Sequence, residues 1–68
     1  MELEFKRAVS LFEKNKLNGA EEICLNIYNK SPKNFDNLRL LNFIYFKKKE
    51  YPKAIDFINK AIEINYNY

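Results

Sequence analysis

The sequence predicts an all-α protein whose four helices form two helix–turn–helix repeats. Two observations lead to this prediction. The 68 residues divide into two blocks of equal length, residues 1–34 and 35–68, which share one pattern of apolar residues. Within each block these residues recur at helical spacing, and no stretch alternates long enough to indicate a strand. A fixed period near 34 residues is typical of units that bury their apolar faces only by stacking.

The two blocks correspond through residues of similar size or polarity more than through identical residues. Laying residues 1–34 over residues 35–68 places Phe12 on Phe46 and Ala20 on Ala54. Only one further pair is identical, and most other equivalent positions share size or polarity alone. We therefore treat residues 1–68 as a single domain of two repeats.

The first block is predicted to hold helices near residues 2–14 and 18–30. Asn15, Asn18 and Gly19 favour a break between them, and the Ser31-Pro32 pair ends the second helix. The stripes expected to face the core are Leu3, Ala8, Leu11 and Phe12 in the first helix and Ala20, Ile23, Cys24 and Ile27 in the second.

The second block is predicted to hold helices near residues 35–48 and 52–64. Pro52 fits the first turn of the last helix, where its missing N–H is no loss. The expected core stripes are Leu38, Leu41, Ile44 and Tyr45 in the third helix and Ala54, Phe57, Ile58, Ala61 and Ile62 in the fourth.

Small and large apolar residues recur in a similar order through the two blocks. They are Ala8, Leu11, Leu17, Ala20, Cys24, Ile27 and Pro32 in the first block and Leu38, Leu41, Tyr45, Tyr51, Ala54, Ile58 and Ala61 in the second. Over its whole length the chain thus resembles the tetratricopeptide repeat family. The resemblance implies a short right-handed α-solenoid that works as a protein–protein interaction scaffold.

The chain departs from the family pattern at four positions, one of which is Tyr66 in place of the closing Pro of the second block. Glu4 and Arg7 stand where the family places large apolar residues, so we expect the first helix to start late or pack loosely. Asn42 stands at a small-residue position and needs a hydrogen-bond partner if it is buried.

Composition argues against several classes of protein. Hydrophobic residues make up 47% of the chain, which is too many for a disordered segment. The sequence has no histidine, one cysteine and one glycine, so it lacks a zinc ligand set, the common general base and a glycine-rich phosphate loop. We expect no enzyme activity, no cofactor and no metal, and we expect Cys24 to be buried and inert.

Nothing in the sequence indicates a membrane or secreted protein. No apolar run approaches the roughly 20 residues of a membrane span, and no charged-then-apolar leader follows Met1. We therefore expect a cytoplasmic protein.

The resemblance also implies a peptide-binding groove on the concave face of the first helices of the repeats. Positions that face it in the family correspond here to Glu2, Phe5, Val9, Phe12, Glu13, Asp36, Arg39, Phe43, Phe46 and Lys47. Phe5, Val9 and Phe12 follow helical i, i+4, i+7 spacing. Such a surface suits an apolar or amphipathic peptide. Simple packing between helices explains the aromatic residues equally well.

A second interpretation is a self-associating structural unit. The last helix carries Ile55, Ile58, Ile62 and Ile64, and an array of two repeats leaves such an apolar face uncovered. A second copy could cover it in a homodimer. Alternatively, the chain is an excised or engineered piece of a longer array.

Weak binding of single-stranded nucleic acid is the third interpretation. The run Lys47–Lys49 lies beside Phe43, Tyr45 and Phe46, and the net charge is +3. Because successive residues fan out around a helix, these lysines are not expected to line one groove. Nucleic acid is therefore the least favoured partner.

Overall fold

A computed structural model describes residues 2–65, and for Glu2 its backbone only. Within this range the chain forms four helices and no strand, which confirms the all-α prediction. Every helix end lies within one residue of its predicted position. The helices are α1 (Glu2–Glu13), α2 (Leu17–Lys30), α3 (Phe35–Lys47) and α4 (Tyr51–Ile64).

The turns inside the two helical hairpins have the same geometry. Asn15 and Lys49 occupy equivalent repeat positions, and both adopt left-handed backbone angles, with φ of 61° and 63°. The next residues, Lys16 and Glu50, each donate their N–H to the carbonyl oxygen five residues earlier, at 2.8 and 2.9 Å. This six-to-one hydrogen bond is a common way to end a helix. The structural repeat thus extends to the turns, although neither turn contains glycine.

Two further helix ends follow from local chemistry. The side chain of Asn34 accepts a hydrogen bond of 3.1 Å from the backbone N–H of Asn37, which caps the start of α3. Pro52 lies in the first turn of α4, as predicted.

Gly19, like Asn18, lies inside α2 and not in the break between the first two helices, contrary to the prediction, because α2 already begins at Leu17. Its role is close packing between the helices of the first hairpin. A Cβ atom at this position would lie 3.2 Å from a methyl carbon of Leu11 on α1. A residue with a Cβ atom would therefore require the Leu11 side chain to shift by a few tenths of an ångström.

The helices pack in chain order around one core. α1 packs on α2, α2 on α3 and α3 on α4, while α1 also touches α3. Among the described residues, the backbones of α1 and α4 do not come close to each other. The buried apolar side chains are Ala8, Ala20, Cys24, Ile27, Leu38, Leu40, Leu41, Ile44, Tyr45, Ala54, Phe57 and Ala61.

Leu3 and Ile62 do not join the predicted core stripes. Leu3 is 74% exposed, because its separation of five positions from Ala8 turns it about 140° away from the buried side of α1. Ile62 is 47% exposed. The expected late start of α1 is also wrong, since the helix includes Glu4 and Arg7.

Asn42 finds the partner that its position requires. Its side-chain amide donates a hydrogen bond of 2.7 Å to the carbonyl oxygen of Ala54, which ties α3 to α4. None of the helices in residues 2–65 has the length and apolar character needed to cross a membrane.

Candidate functional site

A small cavity lies between α1 and α3, where the groove was predicted. Its volume is about 220 Å³. The lining side chains are Phe5, Val9, Asp36, Arg39, Leu40 and Phe43. All but Leu40 were predicted groove residues. Leu40 could have been found from its spacing, because it lies four residues after Asp36 and three before Phe43 on the same helix.

Aromatic contacts extend this surface toward the C-terminal ends of α1 and α3. The rings of Phe12 and Phe43 have centroids 6.4 Å apart and are tilted by 35°. The Lys47 ammonium nitrogen lies 5.3 Å from the centroid of the Phe12 ring. Phe12 and Lys47, both predicted groove residues, therefore continue the cavity as a groove.

Charged side chains of both signs lie beside the apolar residues of the cavity. The guanidinium carbon of Arg39 lies 5.6 Å from the Phe43 ring centroid and 5.8 Å from that of Phe35. Cation–π attraction of this kind is worth about 0.5–1 kcal/mol at an exposed site. Asp36 brings a carboxylate to the same cavity. The site thus offers a ligand apolar contact, one cation and one anion within a short distance.

The remaining predicted groove residues lie elsewhere. Phe46 is 60% exposed and contacts Tyr51 at the corner between α3 and α4, with ring centroids 5.6 Å apart. Glu13 is exposed at the end of α1 and does not line the cavity. The side chain of Glu2 lies outside the described part of the chain.

A polar cluster joins α2 to the end of α3. The Glu21 carboxylate accepts hydrogen bonds from the Tyr45 hydroxyl at 2.8 Å and from the Lys48 ammonium group at 2.5 Å. Lys48 also contacts the side-chain oxygen of Asn18 at 3.0 Å and the carboxylate of Glu50 at 3.5 Å. No sequence signal indicated this cluster, because its members are far apart in the chain.

The pKa values of the cluster follow from its contacts. Burial alone would raise the pKa of Glu21, but the hydrogen bonds from Lys48 and Tyr45 outweigh it and lower that pKa. The hydrogen bond to Glu21 raises the pKa of Lys48. Burial, together with the same carboxylate, raises the pKa of Tyr45. At neutral pH the cluster therefore holds a charged pair and a neutral phenol, an arrangement suited to fixing helices together.

Asn37 and Cys24 form a buried contact between α3 and α2. The Asn37 side chain is fully buried and donates a hydrogen bond of 2.9 Å to the carbonyl oxygen of Cys24. Its side-chain oxygen has no hydrogen-bond partner among the described residues. The Cys24 thiol is buried as predicted, and burial raises its pKa to about 12. The thiol therefore stays protonated at neutral pH, and a protonated thiol is a poor nucleophile.

The lysine run at the end of α3 does not form one basic surface. Lys48 reaches Glu21 on α2, whereas Lys47 lies over Phe12 on α1. Lys49 adopts the left-handed turn conformation. The expected fanning is confirmed for Lys47 and Lys48, whose side chains reach different helices.

A larger open cleft lies between the C-terminal halves of α2 and α4. Its volume is about 500 Å³, and sequence reasoning missed it. It is lined by Tyr28, Pro32, Lys33, Lys60, Glu63 and Ile64. Ile64, which was expected to share a self-association face with Ile55, Ile58 and Ile62, therefore lies on a different side of α4.

The fold and site together define a small all-α protein of two similar hairpins with a shallow groove between α1 and α3. A comparison of the chain with known protein families, with curated proteins and with solved structures found no match in any of the three.

Proposed function

We propose that the protein is a tetratricopeptide-like interaction scaffold that binds a peptide segment in the groove between α1 and α3. The observation that carries the proposal is the apolar cavity of about 220 Å³ between Phe5 and Val9 on one helix and Phe43 on the other. Five of its six lining residues occupy positions that the family resemblance assigns to a ligand groove.

The size of the cavity favours a peptide side chain over a whole small molecule. Pockets that enclose small ligands usually measure roughly 300–1,000 Å³. A cavity of about 220 Å³ is smaller and suits one large apolar side chain. The adjoining rings of Phe12 and Phe43 would then take a second apolar side chain from the next turn of a bound helix.

The charges at the groove suggest where polar residues of the peptide would lie. Arg39 and Lys47 both lie over aromatic rings of this surface. An acidic side chain beside the apolar anchors could approach both cations, as charge-assisted contacts in peptide grooves do. The expected ligand is therefore an amphipathic helical segment with an acidic residue next to its apolar stripe. Clamping of a C-terminal carboxylate is not expected, because Phe5 and Val9 replace the Lys and Asn that perform it in the family.

Selection from a displayed library of random peptides, followed by fluorescence anisotropy titration, tests the proposal. We expect enriched peptides to share apolar residues spaced three or four apart. Phe43→Ala should weaken their binding at least ~10-fold, since truncating an aromatic anchor commonly costs more than ~1.4 kcal/mol. Phe43 is 43% exposed, so the variant should still unfold cooperatively.

Leu3→Ala is the matched control. Leu3 also lies on an exposed helix face, but outside the cavity, so its variant should bind as the wild type does. Equal binding by the Phe43 and Leu3 variants, or a library that yields no enriched peptide, would contradict the proposed groove.

A further inference from the structure

Helix α4 presents a stripe of apolar side chains that the described residues leave partly exposed to solvent. Ile55 is 58% exposed, and Tyr51 and Ile62 are each 47% exposed. Ile58 lies between them and is partly buried against the core. These four residues, spaced by four, three and four, fall within an arc of about 60° around the helix. We call them the α4 stripe.

The α4 stripe carries no charge. The charged residues of α4 lie on the other sides of the helix, where Lys60 pairs with Asp56 at 2.7 Å and Lys53 with Glu50 at 3.2 Å. Covering the stripe therefore removes apolar surface from water without burying an ionised group, which would be costly.

The same face of the equivalent helix α2 is covered. Positions 34 residues before Ile55, Ile58 and Ile62 are occupied by Glu21, Cys24 and Tyr28. All three contact the second hairpin, through Tyr45, the Asn37 amide and the Phe57 ring respectively. This face of the repeat is thus a docking face, and on α4 it is open.

We propose that a second copy of this chain covers the α4 stripe in a two-fold symmetric dimer, with the two α4 helices antiparallel. The stripe is complementary to itself in that arrangement. A two-fold axis midway between positions 56 and 57 places Tyr51 against Ile62 of the second copy and Ile55 against its Ile58. Spacings of four and three are those of the seam between paired helices, and a two-fold interface uses one patch twice.

The exposed apolar area of the α4 stripe is large enough for a dimer of low affinity. Together with Phe46, whose ring contacts Tyr51, the stripe exposes roughly 400 Å² of apolar surface per copy. Two copies would together bury on the order of 800 Å² of apolar surface. Specific complexes bury at least ~1,200 Å² of total surface, of which about 60% is apolar, so the α4 stripe lies near that lower limit. The stripe shares no residue with the cavity between α1 and α3, so the dimer does not depend on the proposed peptide groove.

Sedimentation equilibrium of the 68-residue chain from about 1 μM to about 1 mM tests the proposal. The mass should rise from 8.2 kDa toward twice that value and no further. Ile62→Lys should remain helical by circular dichroism, since Ile62 is half exposed, and should lose the dimer at every concentration. Ile64→Lys makes the same change on the same helix but outside the stripe, and it should still form the dimer.

A mixing experiment tests the antiparallel geometry. Tyr51→Lys and Ile62→Glu should each be monomeric alone. Mixed one to one, they should form a heterodimer, because the two introduced charges of opposite sign then face each other at one end. Failure of the mixture to associate would overturn the proposal. So would a wild type that is monomeric throughout, a mass that grows beyond two chains, or an Ile62→Lys variant that dimerises as well as Ile64→Lys.

Discussion

Helices α2 and α4 occupy equivalent places in the two repeats, yet their equivalent faces differ in what they contact. On α2, Glu21 lies under the end of α3 and pairs with Lys48. On α4, the same position is Ile55, which is 58% exposed. The polar residue is the one in the packed joint, and the apolar residue is the one facing water. Polarity along a single helix thus does not indicate which face is covered.

The docking faces of α2 and α4 offer different kinds of contact. The joint between α2 and α3 contains an ion pair, a tyrosine hydroxyl and the Asn37 amide. Their hydrogen bonds are directional, so they fix the relative position of the two helices. Such groups add specificity at a cost in desolvation. The α4 stripe offers apolar area alone, which gives attraction without directional contacts. Substitutions in the packed joint should therefore lower stability more than substitutions in the exposed stripe.

The largest difference is expected between alanine substitutions at Ile27 and Ile55. Ile27 is fully buried, so Ile27→Ala should lower the free energy of unfolding by about 2–5 kcal/mol. That is a large share of the total for so small a domain. Ile55→Ala should cost less than ~1 kcal/mol when the chain is monomeric. Urea unfolding followed by circular dichroism at low concentration measures both. Equal losses would mean that the face of α4 is packed within the monomer.

The next difference is expected between two asparagines of α3. Asn37→Ala removes a fully buried side chain and its bond to Cys24, and it should cost about 1–3 kcal/mol. Asn42→Ala removes a partly exposed bond to Ala54 and should cost about 0.5–1.5 kcal/mol. The same unfolding experiment compares them. Asn37→Ala could instead lower the free energy of unfolding less than Asn42→Ala does. That result would mean that the cost of burying the unpartnered Asn37 side-chain oxygen nearly cancels the gain from its hydrogen bond to Cys24.

The smallest effect is expected from Glu21 and should depend on pH. Because its pKa is lower in the folded chain than in the unfolded chain, the carboxylate stabilises the fold above roughly pH 4.3, and that contribution is lost as the pH falls further. Glu21→Gln should therefore cost on the order of 1 kcal/mol near neutral pH and show a weaker loss of stability on acidification. Unfolding free energies measured from about pH 7 to about pH 3 provide the test.

Glu22→Gln is the control for this pH experiment. Glu22 is the exposed neighbour of Glu21 on the same helix, and its variant leaves the contacts of Glu21 with Lys48 and Tyr45 intact. It should therefore keep the acid dependence of the wild type. If both variants respond to acid alike, the cluster does not stabilise the joint between α2 and α3.

The resemblance to the repeat family predicted most of the candidate groove, and the reasons for the misses are physical. Phe5, Val9 and Phe43 line the cavity as expected. Phe46 follows the same helical spacing but contacts Tyr51, because only three residues separate the end of α3 from the start of α4. Spacing assigns a residue to one face of its own helix, and the neighbouring element then decides what that residue contacts.

The sequence by itself determined the local structure of this protein. Helical spacing, Pro52 and the paired blocks predicted four helices to within one residue at each end, and Cys24 was expected inside. These features depend on residues close together in the chain, where period and backbone preference act directly.

Only the tertiary structure decided which distant groups meet. Glu21 and Lys48 pair across 27 positions of sequence, and Asn37 reaches back 13 positions to Cys24. Ile62 and Ile64 have the same side chain on the same helix, yet one belongs to the open stripe and the other lines a cleft with Tyr28. Such outcomes depend on how whole helices are placed, and that placement is set by the summed packing of the core rather than by any one residue.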